Sequence, residues 1–256
     1  IKKICDGLEI SIVDFFNTDT FRNLEQEIQQ KRAVQSGDAD TVRKTAVFCG
    51  VFFADGMPEH MNTVYKGLPE PFSKRTVEGD IGMRYSIQGI VDAAGIDRVS
   101  QLSGLSKARV QELVDYLKEH TDTVPNGDSE LESLDFALAS MAIEEAVRRH
   151  AGTIEETYTM MGLTYVQAGK NLTRVKNIVV TGGSLIHTKQ TEDIAAFALY
   201  SPTEPASLRP KAADVWVDRT YILAAMGLLS SYYPQVALRI MKKELEFHGN
   251  SEQETL

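Results

Sequence analysis

The sequence predicts an α/β protein. Apolar runs of strand length, such as residues 45–54 and 177–180, alternate with longer segments whose apolar residues recur at helical spacing, such as residues 131–151. Strands that alternate with helices are typical of layered α/β architectures. At 256 residues, the chain is long enough to bury a substantial core.

The composition is that of a globular protein with an acidic balance. The chain is 43% apolar and 25% charged, and its net charge of −9 argues against a broad surface for nucleic acid or anionic membrane. No apolar run approaches the roughly 20 residues that a membrane-spanning helix needs. Two cysteines, Cys5 and Cys49, are too few for a disulfide framework or a four-cysteine metal site and favour a reducing, cytoplasmic compartment. Because the chain begins at Ile1, we expect a fragment of a longer protein.

In the first quarter of the chain, the sequence pattern predicts strands and one helix. Alternation over residues 8–16 predicts a strand, and residues 19–35 predict a helix. Residues 45–54 predict a buried strand. Asp55-Gly56 is a hairpin-turn signal, so residues 60–65 are expected to return as the antiparallel partner of that strand.

A second glycine-bearing turn, Gly79-Asp80-Ile81-Gly82, precedes a helix predicted over residues 83–94. Asp80 has two interpretations. It is either the N-cap of that helix, since Asp is a preferred capping residue, or a carboxylate that holds a metal-bound water near a phosphate.

Residues 97–120 predict two short amphipathic helices around Ser103-Gly104, and residues 121–130 predict a loop. The helix pair superficially resembles a DNA-reading helix-turn-helix. We prefer a surface helical insertion, because acidic residues of the second helix balance its cations Lys107, Arg109 and Lys118.

The longest helical pattern covers residues 131–151. Its apolar face consists of Leu134, Leu138, Met141, Ala142 and Ala146. Glu145, Arg148 and Arg149 follow at i, i+3 and i+4, which places them on neighbouring faces. They form either an intrahelical ion pair or a polar cluster that holds a ribose and stacks on a base, for which the flat guanidinium of arginine is suited.

Residues 177–187, NIVVTGGSLIH, predict a short buried strand that ends at Gly182-Gly183 and leads into a helix. Glycines at such a turn allow the backbone to approach a ligand closely. Upstream, Lys170 is expected to face solvent. Downstream, we predict a helix over residues 191–200, a strand over 215–217, a helix over 221–232 capped by Asp218, and a final helix from Pro234 to about residue 247.

Four stretches of the chain resemble the MutL/GlmL family that accompanies adenosylcobalamin-dependent glutamate mutase, which is unrelated to the mismatch-repair protein of the same name. They are KGLPEPFSKRTVEGDIGMRYS (66–86), LDFALASMAIEEAVRRHAG (134–152), VQAGKNLTRVKNIVVTGGSLIH (166–187) and VDRTYILAAMGLLSSYYPQVALRIMKK (217–243). The order of elements also resembles the second half of the actin/sugar-kinase/Hsp70 (ribonuclease H-like) ATPase fold. The resemblance implies an actin-like domain over residues 46–96 and 131–247, a helical insertion at 97–130, an uncertain segment at 1–45 and a tail at 248–256.

The resemblance also implies a site and a role. Glu145, Arg148 and Arg149, with Thr181, Gly182, Gly183 and Ser184, would bind the nucleoside, and Gly79, Asp80 and Gly82 would lie near the phosphates. The family implies an ATPase-like protein that assists assembly or reactivation of the mutase. ATP or ADP with Mg²⁺ would be its ligand, mutase subunits would be its partners, and adenosylcobalamin would enter only through the partner enzyme.

The sequence departs from this superfamily where the phosphates would be held. An acidic phosphate loop of the type D-I-G-G-x-T-T-D is expected before the hairpin, but the corresponding stretch reads KTAVFCGVFFADG. By the same comparison, we expect the first ATPase domain, with its own phosphate loop, to lie outside this sequence. We therefore expect at most half of a nucleotide cleft and no hydrolysis by this chain alone, because hydrolysis needs the γ-phosphate held with its metal and water in place.

Other functions remain open from the sequence. A nucleotide-independent domain that binds mutase subunits is the main alternative, and a DNA-binding regulator and a sugar kinase are weaker ones. The five histidines have no spacing that suggests metal ligands, and Asp135 and Glu144 are interpreted as solvent or interdomain groups rather than an acid/base pair.

Overall fold

The computed structural model describes residues 47–51, 62–67 and 74–248. The strand predicted over residues 8–16, the helix over 19–35, the turn at Asp55-Gly56 and the tail from residue 249 lie outside this range. The described residues form a mixed α/β arrangement with small sheets, which confirms the predicted α/β class.

Eight strands and eight α-helices are described. The strands are β1 (Val47–Val51), β2 (Thr63–Tyr65), β3 (Lys74–Glu78), β4 (Thr153–Thr159), β5 (Gly162–Ala168), β6 (Asn177–Val180), β7 (Asp214–Val217) and β8 (Glu246–His248). The helices are α1 (Ile87–Ala94), α2 (Ile96–Ser103), α3 (Lys107–Glu119), α4 (Ser129–His150), α5 (Gly183–Ile186), α6 (Thr191–Ala195), α7 (Leu223–Ser230) and α8 (Pro234–Glu244). A 3₁₀ turn, Ala196–Ala198, follows α6.

The strands form three small sheets. β1 pairs antiparallel with β3. β5 lies between β2, to which it is parallel, and β4, to which it is antiparallel. β7 lies between β6, which is parallel to it, and β8, which is antiparallel.

The predicted pairing of residues 45–54 with 60–65 is wrong. β1 pairs with β3, while Thr63–Tyr65 pairs in parallel with β5. The Asp-Gly signal is local, whereas strand partners are chosen by long-range packing. The final helix also ends earlier than predicted, at Glu244, and residues 246–248 form β8 instead.

Helix α4 is the central element of the described fold. It packs against α1, α2, α5, α6, β1 and β3. Its predicted apolar face is buried at all five positions, in one core cluster with residues of α1, α2 and α3. Asp128 caps the helix by accepting hydrogen bonds from the N–H groups of Glu130 and Leu131.

The two helices predicted over residues 97–120 are confirmed as α2 and α3. Val99, Val110, Val114 and Leu117 are fully buried in the cluster that contains α4, so these helices contribute to the core. The cations of α3 are paired: Lys107 with Asp97, Arg109 with Glu112 and Glu130, and Lys118 with Asp115. These pairs leave α3 without a basic face.

Two close backbone approaches explain the positions of two glycines. A Cβ on Gly89 of α1 would lie 1.7 Å from the carbonyl oxygen of Asp80, and one on Gly152 would lie 2.4 Å from that of Ala168. Both distances are far below van der Waals contact. Gly89 therefore allows the turn that carries Asp80 to rest on α1, and Gly152 allows the end of α4 to meet β5.

Candidate functional site

The C-terminal end of α4 carries a cluster of charged side chains, which we call the Arg149 cluster. It comprises Glu78 at the end of β3, Asp80 in the following turn, and Glu145, Arg148 and Arg149 of α4. Glu145 and the two arginines meet because residues at i, i+3 and i+4 share one side of a helix. β3 reaches the same place because it packs against α4, where Thr76 Oγ1 lies 3.2 Å from Nδ1 of His150.

Arg149 is the centre of this cluster. Its Nε donates to Glu145 at 2.5 Å, its Nη1 donates to Glu78 at 2.9 Å and to Asp80 at 2.7 Å, and its Nη2 donates to Asp80 at 2.8 Å. Four of its five N–H donors are therefore used by carboxylates. Arg149 is committed to the protein and has little capacity left for a ligand.

Arg148 differs from Arg149 in exposure and in unused donors. Its Nε and Nη2 donate to the two oxygens of Glu145 at 2.8 and 2.6 Å, and its side chain is half exposed. Within residues 74–248, its Nη1 has no hydrogen-bond partner. Arg148 is the arginine of the cluster that is available to a ligand.

The charges in the cluster shift pKa values in the expected directions. The hydrogen bonds from Arg149 lower the pKa of Asp80. Burial opposes ionisation of Glu145, but the hydrogen bonds from Arg148 and Arg149 outweigh it and lower the pKa of that carboxyl. Hydrogen bonds to Asp80, and then to Glu78 and Glu145, raise the pKa of Arg149 although burial opposes this. By formal charge, the three carboxylates and two guanidiniums give the cluster a net charge of −1.

The structure separates the two interpretations of Asp80. The helix begins at Ile87 with Ser86 at its N-cap position, so the prediction that Asp80 caps it is wrong. Its carboxylate binds the fork of Arg149 instead. Gly79 is exposed beside it and accepts a hydrogen bond from Ser86, whereas Gly82 is buried.

The second predicted part of the site is the glycine turn, residues 181–184. β6 ends at Val180 and α5 begins at Gly183, as predicted, but the strand is only partly buried because Val179 is exposed. Gly182 has a φ of 116° and Gly183 has no atom within 3.8 Å of an added Cβ, so both face open space. Thr181 and Gly183 are exposed and Ser184 is half-buried.

The two parts of the site lie on elements that touch. α5, which begins at Gly183, packs against α4, which carries Arg148. Among the described residues, no hydrogen bond or ion pair joins the Arg149 cluster to the glycine turn. The structure thus brings the two elements together and leaves both Arg148 and the glycine turn accessible.

Two other predictions were tested by burial and hydrogen bonding. Lys170 is buried, so the prediction that it faces solvent is wrong. The helix predicted over residues 221–232 is Leu223–Ser230, with Ile222 at its N-cap position. Asp218 is buried and accepts hydrogen bonds from the N–H groups of Ile222 and Leu223 at 2.8 and 3.1 Å, so its carboxylate stabilises the start of that helix as predicted, although it does not occupy the N-cap position.

Sequence reasoning missed Glu78 and Tyr221. Residues 74–78 are not predicted as a strand, so the one sequence signal for Glu78 is its spacing of two residues from Asp80. Tyr221 is the first residue of the helix predicted over residues 221–232, but it precedes the observed helix and is 54% exposed. Its hydroxyl is the nearest atom to a Cβ added at Gly183, at 3.8 Å.

The elements and the site define an α/β protein in which a central helix joins a charge cluster to a strand–glycine–helix turn. A protein-family model described as "MutL protein" matches residues 45–245. "Protein MutL" from Clostridium tetanomorphum is 41% identical over 192 residues, which are 75% of this chain and 41% of that protein. The chain therefore belongs to the MutL family, and the resemblance to the glutamate-mutase-associated type is confirmed.

The chain spans less than half of the length of that relative. No solved structure matches the chain. The actin-like part of the fold prediction and the division into domains therefore stay predictions. In the part of the chain that the structure describes, no helix is long and apolar enough to cross a membrane.

Proposed function

We propose that this chain is the ATP-binding, actin-like part of a protein that assists assembly or reactivation of B12-dependent glutamate mutase. Membership of the MutL family supports the link to the mutase. The observation that carries nucleotide binding is the open glycine turn at the start of α5, next to the helix that presents Arg148. A base can rest on Gly182 and Gly183 because neither has a side chain, and the flat guanidinium of Arg148 suits the other side of the base.

The described residues fit the nucleoside better than the phosphates. Asp80 is paired with Arg149, and the cluster around it has a net charge of −1, which does not favour an anion. Among the described residues, no three His, Cys, Asp or Glu side chains are placed to hold a metal ion. Mg²⁺ and the γ-phosphate would need further groups from the intact protein, so this chain alone would bind the nucleotide without hydrolysing it.

The test is calorimetric titration of Mg·ADP into the intact parent protein. Gly183→Val fills the turn, and an added Cβ meets nothing closer than 3.8 Å, so the fold should tolerate it. We expect binding to weaken about tenfold or more, since a base would lose its contact with the backbone. Gly227→Ala in α7 is the matched control, because its Cβ also enters open space, and should bind as the wild type does. A folded wild type that releases no heat with ADP would contradict the proposal.

A second function, nucleotide-independent binding of mutase subunits, is favoured by the hairpin of β4 and β5. Met160 and Met161 at its tip are 105% and 96% exposed, and Tyr158 beside them is 82% exposed. β2 pairs with β5 only between Tyr165 and Gln167, so the tip extends beyond the three-stranded part of the sheet. Large contiguous apolar exposure of this kind is typical of protein-interaction sites.

Capture of mutase subunits by the intact protein distinguishes the two functions. The double variant Met160→Asp/Met161→Asp should lose capture with and without ADP if the hairpin tip is the contact. Val124→Asp is the control, because Val124 is also an exposed apolar residue. Capture that needs ADP and ignores the methionine changes would favour the nucleotide-dependent function.

A further inference from the structure

Tyr221 has an unusual backbone conformation beside the glycine turn. Its φ is +54°, in the left-handed region, and the only other described non-glycine residue with a positive φ is Asn126, in an Asn-Gly turn. Asparagine adopts this conformation readily, but a bulky aromatic residue does so rarely. Such a conformation persists only where the surrounding structure holds it, and it recurs at ligand sites.

Hydrogen bonds attach the segment around Tyr221 to the strand that enters the glycine turn. The backbone N–H of Asp218 donates to the carbonyl of Val180 at 2.9 Å. Thr181 Oγ1 donates to the carbonyl of Asp218 at 3.4 Å. The carboxylate of Asp218 accepts from the N–H groups of Ile222 and Leu223, the two residues after Tyr221.

A further hydrogen bond attaches the same segment to the end of α5. Arg219 donates to the carbonyl of Ile186, the last residue of that helix, and also to Glu246 of β8. Residues 218–223 are therefore tied to the chain on both sides of the glycine turn. The position of Tyr221 relative to Gly183 is set by hydrogen bonds that do not involve the tyrosine side chain.

The side chain of Tyr221 does not take part in the hydrogen bonds that hold this segment. Tyr221 is 54% exposed, and its hydroxyl makes no hydrogen bond within the described residues. The hydroxyl lies 3.8 Å from the Cβ position of Gly183, on an otherwise open side of that residue. An aromatic ring on a backbone that is held beside an open glycine is suited to a flat heteroaromatic group, which can stack on the ring or lie against its edge.

We propose that Tyr221 is a wall of the base-binding site and contacts the purine of an adenine nucleotide that rests on Gly182 and Gly183. This inference rests on the proposed nucleotide binding and adds a side chain from a different segment of the chain. The ring supplies most of the contact, and the hydroxyl adds a hydrogen-bonding group at the edge of the base. Tyr221 thereby favours nucleotides, which carry an aromatic base, over ligands that carry the same phosphates without an aromatic group.

The test compares Tyr221→Gly and Tyr221→Phe in the intact protein by calorimetric titration with Mg·ADP. Tyr221→Gly should weaken binding about tenfold or more, because base–aromatic stacking contributes on this scale. The melting temperature should stay the same or rise, because glycine adopts a positive φ without strain. Tyr221→Phe should bind within about threefold of the wild type, since it keeps the ring. Tyr232→Gly removes an equally exposed tyrosine, 57% exposed, and should bind as the wild type does.

A second readout needs no variant. Nitration of tyrosines by tetranitromethane, mapped by mass spectrometry, should show Tyr221 protected by ADP and Tyr232 unprotected. If the wild type binds ADP while Tyr221→Gly binds equally well and Tyr221 is nitrated equally, this inference fails and the proposed function stands. If the folded wild type binds no ADP, both fail together.

Discussion

Glu144 and Glu145 are adjacent on α4, yet they belong to two ionic networks of opposite character. Glu145 belongs to the Arg149 cluster, where Arg149 uses four donors on three carboxylates. Glu144 belongs to the Arg209 network, which comprises Arg98, Glu144, Glu204 and Arg209. There Arg209 is fully buried and donates to Glu204 at 2.5 Å, while its Nε and Nη1 have no hydrogen-bond partner in the part of the chain that the structure describes.

The two arginines differ in how far their hydrogen bonds and ion pairs compensate for the free-energy cost of desolvation. Arg149 is 29% exposed and nearly saturated, so its partners compensate for desolvation. Arg209 is 0% exposed, and its second ion pair, Nη1 to Glu144, is long at 3.8 Å. A buried charge with unsatisfied donors contributes little net stability, whereas one that neutralises several carboxylates contributes more. The two networks show that the contribution of an ion pair to stability can be judged only together with the exposure of its side chains and the donors that they leave unused.

The largest effect is expected from Arg149→Met. Removing this cation leaves Glu78, Asp80 and Glu145 close together with only Arg148 nearby, and two of those carboxylates are mostly buried. We expect a loss of about 3 kcal/mol in the free energy of unfolding, measured by urea titration at pH 7. Arg148→Met is the control: it removes a half-exposed arginine with one partner and should lose less than about 1 kcal/mol. Equal losses in the two variants would contradict the saturation argument.

The next largest effect is expected from Gly89→Ala. The added Cβ would lie 1.7 Å from the carbonyl oxygen of Asp80, so the turn that carries one carboxylate of the Arg149 cluster must move away from α1. We expect a loss of about 2 kcal/mol, again from urea unfolding. Gly227→Ala, whose Cβ meets nothing within 4 Å, should be neutral or slightly stabilising because alanine favours helices. A neutral Gly89→Ala would mean that the turn is not held against α1.

The parts of this site that sequence reasoning found are those that depend on local order. Glu145, Arg148 and Arg149 meet because of helical spacing, and the strand–glycine–helix order of residues 177–187 is read directly from its apolar run and two glycines. The family resemblance covered the same segments. These features need no knowledge of which distant elements pack together.

The parts that were missed depend on long-range pairing. β1 was given the wrong partner because an Asp-Gly turn signal does not reveal that β3, beyond two prolines, pairs with it instead. β8 has only three residues and forms because β7 offers a free edge, which the helical pattern before it does not indicate. For the same reason, the contact of Arg149 with Glu78, 71 positions away, could not be predicted.

A smaller effect is expected in the dependence of stability on acidic pH. The folded-state pKa values of Asp80 and Glu145 are lowered, so their contribution to stability is present above the unfolded pKa values, near 4, and is lost as pH falls through the folded ones. Because this contribution comes from ionised carboxylates facing Arg149, the stability difference between wild type and Arg149→Met should narrow as pH falls from 6 to 3. Urea midpoints at several pH values measure it. A constant difference would indicate that Arg149 acts through packing rather than charge.

The smallest effect is expected from Arg209→Met, and it sharpens the comparison most. The change removes a buried cation, two of whose nitrogens have no hydrogen-bond partner among the described residues, and keeps much of its volume. Its former partners are not stranded, because Glu144 keeps Arg98 at 2.8 Å and the Glu204 side chain is 40% exposed. Stability should therefore change by less than about 1 kcal/mol, in either direction, in the same urea assay. Arg209→Ala should lose about 2 kcal/mol or more through the cavity it leaves, so the two variants separate charge from volume. If Arg209→Met instead lost about 3 kcal/mol in the free energy of unfolding, the Arg209 network would be as stabilising as the Arg149 cluster. Unsatisfied donors would then not identify weak ion pairs in this fold.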